Sequence, residues 1–271
     1  MAFRRARNPE GRMSLGDHLR ELRRRILIAA VALVIGAVAG WYLYDTVYDH
    51  LTAPLIAIAR QRGDEHTIAL NFAGLTAAFS QRVTVAIWIG FIVSSPVWLY
   101  ELWAFIVPGL TRKERRISMA FIIATMPLFL GGCWFAYQTL PKAVQLLISF
   151  TPQGAVNYPE AALYFSFVMR FILVFGLAFL MPVFLVALNL ARVFPASAMR
   201  RTWRPAFLII FVFAAVATPT PDPFTMFLLA VPLCLLYLAA LGVATLLDRR
   251  RAQNRPDWAD QNLSDEEASS L

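Results

Sequence analysis

The chain has 271 residues, of which 59% are hydrophobic and 15% are charged, and its mean hydropathy is +0.58. A soluble globular protein is about half apolar and about one quarter charged, so this composition excludes an ordinary soluble domain and favours a membrane protein. The formal net charge is +8. Because the basic residues stand between apolar runs, we interpret them as membrane-flanking residues, not as a nucleic-acid-binding surface.

Apolar runs predict the helices in chain order. A helix needs about 20 residues, at about 1.5 Å each, to cross about 30 Å of hydrocarbon. Four runs are long enough, and they cover 26–44, 83–105, 117–140 and 162–191. The last apolar stretch, 205–247, is too long for one crossing and contains the proline-rich segment 218–223, which cannot continue a helix. We therefore predict a hairpin of two helices, 205–218 and 224–247, whose first arm is only about 21 Å long.

The basic residues predict the orientation. Of the 25 lysines and arginines, 20 lie in the N-terminal segment, between spans two and three, between spans four and five, or after span six. Four lie in the alternate segments, and basic residues near span ends remain in the cytoplasm. The sequence thus predicts an all-α polytopic membrane protein whose domain of six transmembrane helices covers 1–247, with both termini cytoplasmic. We expect apolar caps on the outer face, such as 51–59, and a disordered tail over 248–271.

The sequence offers little support for catalysis. Cys133 and Cys234 lie in apolar runs without metal-ligand spacing, so we interpret them as small packed side chains. The histidines lie outside the predicted spans, and neither a nucleophile-elbow motif nor a zinc-protease motif occurs. We predict no catalytic residue, no metal and no cofactor.

Two acids stand in basic cytoplasmic segments. Glu21 lies among arginines before the first span, and Glu114 lies within RKERR between the second and third. One interpretation is neutralisation, because Glu21 and Arg25 are i,i+4 partners, a contact worth a few tenths of a kcal/mol. The other is a receptor for a cationic ligand, because a carboxylate can hold a guanidinium through two hydrogen bonds. The spacing leaves both open.

Seven short motifs follow one another across this six-span frame. They are HLRELR at 18–23, APLI at 53–56, WAFIVPGL at 103–110, KERR at 113–116, LYFSFVM at 163–169, TPD at 220–222 and AVP at 230–232. In their order and positions the chain resembles the TatC family of twin-arginine protein translocases, over nearly its whole length.

The resemblance implies a receptor in the bacterial cytoplasmic membrane that binds signal peptides of folded cargo and uses the proton-motive force. It also implies TatA-type and TatB-type single-span partners, a homo-oligomeric receptor complex and no nucleic acid. Glu21 and Glu114 match the acids that engage the signal's paired arginines. Leu19 and Arg23, in the first motif, are predicted to take part in signal-peptide binding, as is Phe105, which matches an aromatic residue near the same surface. A packed interfacial ring is the alternative for Phe105.

Other positions match the family or depart from it. Pro54 and Pro108 are expected to shape loops, and Asp222 matches an acid of the outer turn, where ordinary turn chemistry explains it equally well. Leu180 stands where the family often has a glutamate, two residues before a proline. Arg170 replaces a small residue inside the fourth span, so we expect it to extend outward, pair with an acid or face a water-filled cavity.

Two alternatives and one further acid complete the sequence-based predictions. A small-solute transporter or channel would use Arg170 and Asp222 along a pathway, although transporters usually have paired halves with interrupted helices. An assembly scaffold without a cargo site would make Glu21 and Glu114 dispensable. Glu101, near the inner end of the second span, is expected to lie at the cytoplasmic interface or to find a partner.

Overall fold

The computed structural model describes residues 15–61, 70–106, 112–152, 158–217 and 223–253. These residues form α-helices and no strand, apart from one isolated parallel bridge between Asn71 and Glu160. The helices are α1 (Leu15–Gln61), α2 (Ala77–Val93), α3 (Ser95–Ile106), α4 (Arg112–Ser149), α5 (Ala161–Ala178), α6 (Met181–Leu190), α7 (Ala196–Arg201), α8 (Trp203–Ala217) and α9 (Pro223–Gln253). The predicted all-α class is confirmed.

Helix α1 is longer than the first predicted span, because it includes the segment 51–59 that was expected to form a separate cap. No glycine or proline interrupts the chain between Gly40 and Pro54. Pro54 itself lies inside α1, so the expectation that it shapes a loop is wrong. Thr52 donates its hydroxyl to the carbonyl oxygen of Tyr48 at 2.8 Å. The helix is thus continuous across its proline.

The second predicted span is divided into α2 and α3, which meet at a bend of 56°. The bend falls at Ser94, just before Pro96, which cannot donate a backbone hydrogen bond. The indole Nε1 of Trp98 donates to the carbonyl oxygen of Phe91 at 2.9 Å and so satisfies an acceptor at the bend. The bend directs α3 toward α1, with which α3 is in contact.

The apolar core is centred on α4 and α5 and extends to α1, α2, α3, α8 and α9. Four phenylalanines are completely or almost completely buried there: Phe129, Phe165, Phe171 and Phe175. The ring of Phe175 lies 4.6 Å from that of Phe171 on the same helix and 5.9 Å from that of Phe135 on α4, between centroids. Buried aromatic rings contribute large apolar areas, so this cluster fixes α5 against α4.

Within the described residues, three helical stretches are long and apolar enough to cross a membrane: Gly16–Ile58, Ala161–Leu190 and Pro223–Gln253. The bent pair α2–α3 counts as a fourth. Helix α8 has 15 residues, so it is only about 22 Å long, as expected for the short first arm of the hairpin. The number of six crossings stays a prediction.

The end of α9 is fixed to the connection between α6 and α7. Asp248 Oδ2 accepts hydrogen bonds from Asn189 Nδ2 at 3.0 Å and from the backbone N–H of Ala196 at 2.9 Å. Arg251 donates to the carbonyl oxygens of Asn189 and Leu190. Helix α9 therefore continues to Gln253, past residue 248 where a disordered tail was expected to begin. Residues 254–271 lie outside the described residues.

Glycines allow α1 and α2 to approach each other closely. A Cβ atom on Gly90 would overlap the backbone of Ala37, and one on Gly40 would overlap the carbonyl of Ala86. Gly36 faces Gly90 in the same way. Small residues four apart on a helix are a common basis of close packing in membranes, where hydrophobic burial between helices contributes little.

We expect Gly90→Ala to destabilise the protein, because the added methyl group overlaps backbone atoms that cannot move independently. Overpacking of this kind costs about 1–3 kcal/mol. The matched control is Gly131→Ala in α4, where an added Cβ meets no atom within 4 Å. Thermal unfolding of the detergent-purified proteins measures the effect. Equal melting temperatures for the two variants would contradict the close α1–α2 contact.

We expect Asp248→Ala to destabilise the C-terminal end of α9 by about 1–3 kcal/mol, because it leaves the buried amide of Asn189 and the N–H of Ala196 without their acceptor. Deletion of residues 254–271 is the control and should leave thermal stability unchanged. Thermal unfolding compares the two variants with the wild type, and limited proteolysis tests whether Asp248→Ala increases cleavage near α7. If the deletion destabilises the protein as much as the substitution does, the hydrogen bonds of Asp248 are not what stabilises the C-terminal end of α9.

Candidate functional site at the ends of α1 and α3

An ion-paired cluster joins α1 to α3 near one end of the helical bundle. Arg25 donates Nε and Nη2 to Glu21 Oε1, at 3.1 and 2.6 Å, and Nη1 to Glu101 Oε2 at 2.7 Å. The first pair joins positions four apart on α1, as predicted, whereas the second links residues 76 apart in sequence. The expectation that Glu101 finds a partner is confirmed, and Arg25 is that partner.

The three side chains of this cluster are partly buried to different degrees. The exposed fractions are 25% for Glu21, 21% for Arg25 and 12% for Glu101. Two carboxylates and one guanidinium give the cluster a formal charge of −1. Charge-assisted hydrogen bonds in a partly buried site are stronger than exposed ion pairs. The cluster therefore combines a fixed geometry with an unbalanced negative charge and an opening to solvent.

Phe105 of α3 and His18 of α1 contact each other at the same end of these two helices. Their rings stack with centroids 4.6 Å apart and planes inclined by 21°. Phe105 is thus a packed ring, half buried at the end of α3, which is the structural alternative considered for it. His18 was not predicted from the sequence to contact Phe105. Its position three residues before Glu21 was the available signal, because residues three apart share a helix face.

The other face of α1 is basic and apolar. A groove of about 430 Å³ is lined by Arg20, Arg23, Arg24, Leu27, Ile28 and Val31. Arg23 and Leu19 are exposed, so they lie on the surface around Glu21 and outside the ion-paired cluster. Exposed arginines beside exposed aliphatic side chains are typical of the interface between lipid headgroups and acyl chains.

The remaining predicted positions are separate from the cluster or outside the described residues. Arg170 is exposed on α5, and Leu180 is buried at the turn between α5 and α6. Glu114 belongs to helix α4, but its side chain lies outside the described part of the chain. Pro108 and Asp222 lie outside it altogether.

A more voluminous cavity than the groove on α1, about 850 Å³, lies elsewhere, between α5, α6, α8 and α9. Its lining is apolar and contains no charged side chain; it includes Val174, Met181, Phe184, Phe213 and Leu233. A cationic ligand gains no charge pairing there, whereas the cluster at Glu21 supplies it. Among the described residues, no group of three or more histidine, cysteine, aspartate or glutamate side chains is arranged to hold a metal ion.

Comparison with known proteins gives one family. The family model described as Sec-independent protein translocase protein (TatC) matches residues 17–232. The Sec-independent protein translocase protein TatC of Xylanimonas cellulosilytica is 51% identical over 240 residues, which are 88% of this chain and 86% of the relative. The protein of the same name from Frankia casuarinae is 41% identical, over 99% of this chain and 76% of its own length.

The fold agrees with the sequence matches. A crystal structure described as the twin arginine translocase receptor TatC aligns with a TM-score of 0.71 and 33% identity, over 84% of this chain and 98% of that chain. The order of motifs, the helical fold and the identity along most of the chain all indicate the same assignment. The chain belongs to the TatC family of Sec-independent protein translocase proteins.

Proposed function

We propose that this chain is the receptor for twin-arginine signal peptides and the core subunit of a translocase that exports folded proteins. The observation that carries the proposal is Glu21, an acid with 25% of its side chain exposed, at the end of α1 and already hydrogen-bonded to a guanidinium. The site thus holds the chemical group that distinguishes the proposed ligand. Carboxylate and guanidinium match in charge and in planar geometry.

Glu114 is the proposed second carboxylate. It is the third residue of α4, two positions after Arg112, and only residues 107–111 separate α4 from the end of α3. A chain of that length spans at most about 22 Å, so α4 begins in the neighbourhood of Phe105 and the cluster. Glu21 and Glu114 would each bind one of two consecutive arginines.

The proposed setting is the bacterial cytoplasmic membrane, crossed six times, with both termini inside. The contacts agree with this grouping of helix ends, because the ends assigned to the inner face pair with one another, as in Arg25–Glu101 and Asn189–Asp248. Ends assigned to the outer face do the same, as in Arg82–Asp45. The proposed translocase also contains TatA-type and TatB-type single-span proteins and further copies of this chain. It uses the proton-motive force.

We expect Glu21→Gln and Glu114→Gln each to weaken binding of a twin-arginine peptide by about 10- to 100-fold. A hydrogen bond between charged groups contributes about 1.5–3 kcal/mol, and each tenfold change in affinity corresponds to about 1.4 kcal/mol. Binding of a labelled signal peptide to the protein in nanodiscs measures the change. The control variant is Asp49→Asn, an exposed acid near the opposite end of α1.

The peptide itself provides a second control. A Lys-Lys peptide should bind the wild-type protein weakly, and the glutamine variants should change that weak binding little, because ammonium groups cannot form the forked pair. If Glu21→Gln binds the Arg-Arg peptide as tightly as the wild type, the receptor proposal is wrong, whatever the stability of the variant.

We expect cysteines introduced at Leu75 and Ser197 to be labelled from opposite sides of the membrane. Both positions are exposed, Leu75 beside α2 and Ser197 in α7. In intact cells of a variant lacking Cys133 and Cys234, a membrane-impermeant maleimide should label position 75 and leave position 197 unlabelled until the cells are opened. The reverse pattern, or labelling of both in intact cells, would contradict the proposed topology.

A further inference from the structure

Arg25 occupies the carboxylate to which the proposed function assigns the signal peptide. Its Nε and Nη2 both contact Glu21 Oε1. The resident side chain and an incoming arginine carry the same guanidinium group, so the two compete for the same acceptor. An arginine that binds Glu21 must therefore displace Arg25 from it.

Glu101 provides a second acceptor for the displaced Arg25. Arg25 Nη1 is held by Glu101 Oε2 at 2.7 Å, on the side of the guanidinium that does not contact Glu21. Loss of the two bonds to Glu21 therefore leaves the bond to Glu101 intact. Glu101 is the most buried of the three side chains, with 12% exposed, so its pairing with Arg25 is the better shielded of the two.

We propose that Glu101 is a positioning residue for signal-peptide binding: it retains Arg25 when a signal arginine takes Glu21. The inference rests on the proposed receptor function and deepens it. Arg25 is an internal substitute for the ligand arginine, and exchange moves Glu21 from one guanidinium to another. Neither Arg25 nor Glu21 passes through an unpaired state, which would be costly for a partly buried charge.

The charges of the cluster favour this exchange. The ion pairs of the cluster join two carboxylates to one guanidinium, a formal charge of −1, and a single signal arginine brings that sum to zero. Without Glu101, the remaining pair of Glu21 and Arg25 would already be neutral. An incoming arginine would then have to displace Arg25 into a partly buried site with no acceptor.

Two structural features, a bend and a ring contact, position Glu101 for this role. The bend at Ser94 directs α3 toward α1, and the stacked rings of His18 and Phe105 hold the same ends together. A structural link between α1 and α3 is the competing explanation of Arg25. The two explanations predict opposite changes in peptide affinity for Arg25→Gln. Removal of a competitor raises the affinity, whereas removal of a structural link lowers it.

The experiment is a double-mutant cycle on the full-length protein in nanodiscs, with an Arg-Arg signal peptide at about 0.3 M salt, where the Debye length is below about 8 Å. We expect Glu101→Gln to weaken binding about tenfold and Arg25→Gln to bind at least as tightly as the wild type. The double variant should bind within about threefold of the wild type, because Arg25 no longer competes for Glu21. The cycle isolates the coupling between the two side chains.

Three outcomes overturn the inference: unchanged binding in Glu101→Gln, weakened binding in Arg25→Gln, or a double variant as weak as Glu101→Gln alone. If Glu101→Gln does not yield folded protein, Glu101→Asp replaces it. Its charge is kept but its carboxylate is set back by one methylene, and an intermediate loss that Arg25→Gln reverses is expected. Glu21→Gln separates the two claims. Loss of binding there with no effect at Glu101 overturns only this inference, and retained binding there overturns the receptor proposal itself.

Discussion

The guanidinium of Arg25, held between Glu21 and Glu101, is the interaction on which the end of the bundle at α1 and α3 depends. It joins α1, the longest helix, to α3, which would point elsewhere without the bend of 56° between α2 and α3. Ion pairs at exposed positions contribute little to stability, but this one is partly buried and uses all three guanidinium nitrogens. Removal of one acid would leave a buried charge with incomplete pairing.

Away from this end, other contacts join α1 to α2. In the apolar region, α1 and α2 approach through Gly36, Gly40 and Gly90, because packing replaces the hydrophobic effect as the source of helix association in lipid. Toward the other end, the guanidinium of Arg82 lies over the rings of Trp41 and Tyr44, 5.0 and 4.9 Å from their centroids. Charged contacts at both ends and close backbone contact between them give α1 a fixed position along its length.

The sequence predicted the features that depend on composition and local spacing. Apolar runs located the helices, and the interval of four residues predicted the pair of Glu21 and Arg25. Continuity through Pro54 and the break at Ser94 were not predicted, because a proline can be accommodated in a helix or can end it, depending on tertiary contacts. The Arg25–Glu101 bond joins residues 76 apart, and no local pattern identifies such a partner.

The resident guanidinium also bears on selectivity between arginine and lysine. A site that already accommodates Arg25 has its carboxylates placed for a planar group with separated donors, so a ligand arginine finds acceptors that need little rearrangement. An ammonium group concentrates its charge at one point and is more strongly hydrated. It would replace the two bonds that Arg25 makes to Glu21 with a less directional contact and a larger loss of hydration. In the proposed receptor, competition with an internal arginine therefore raises the requirement on the ligand, because only a group at least as well matched as Arg25 would displace it from Glu21.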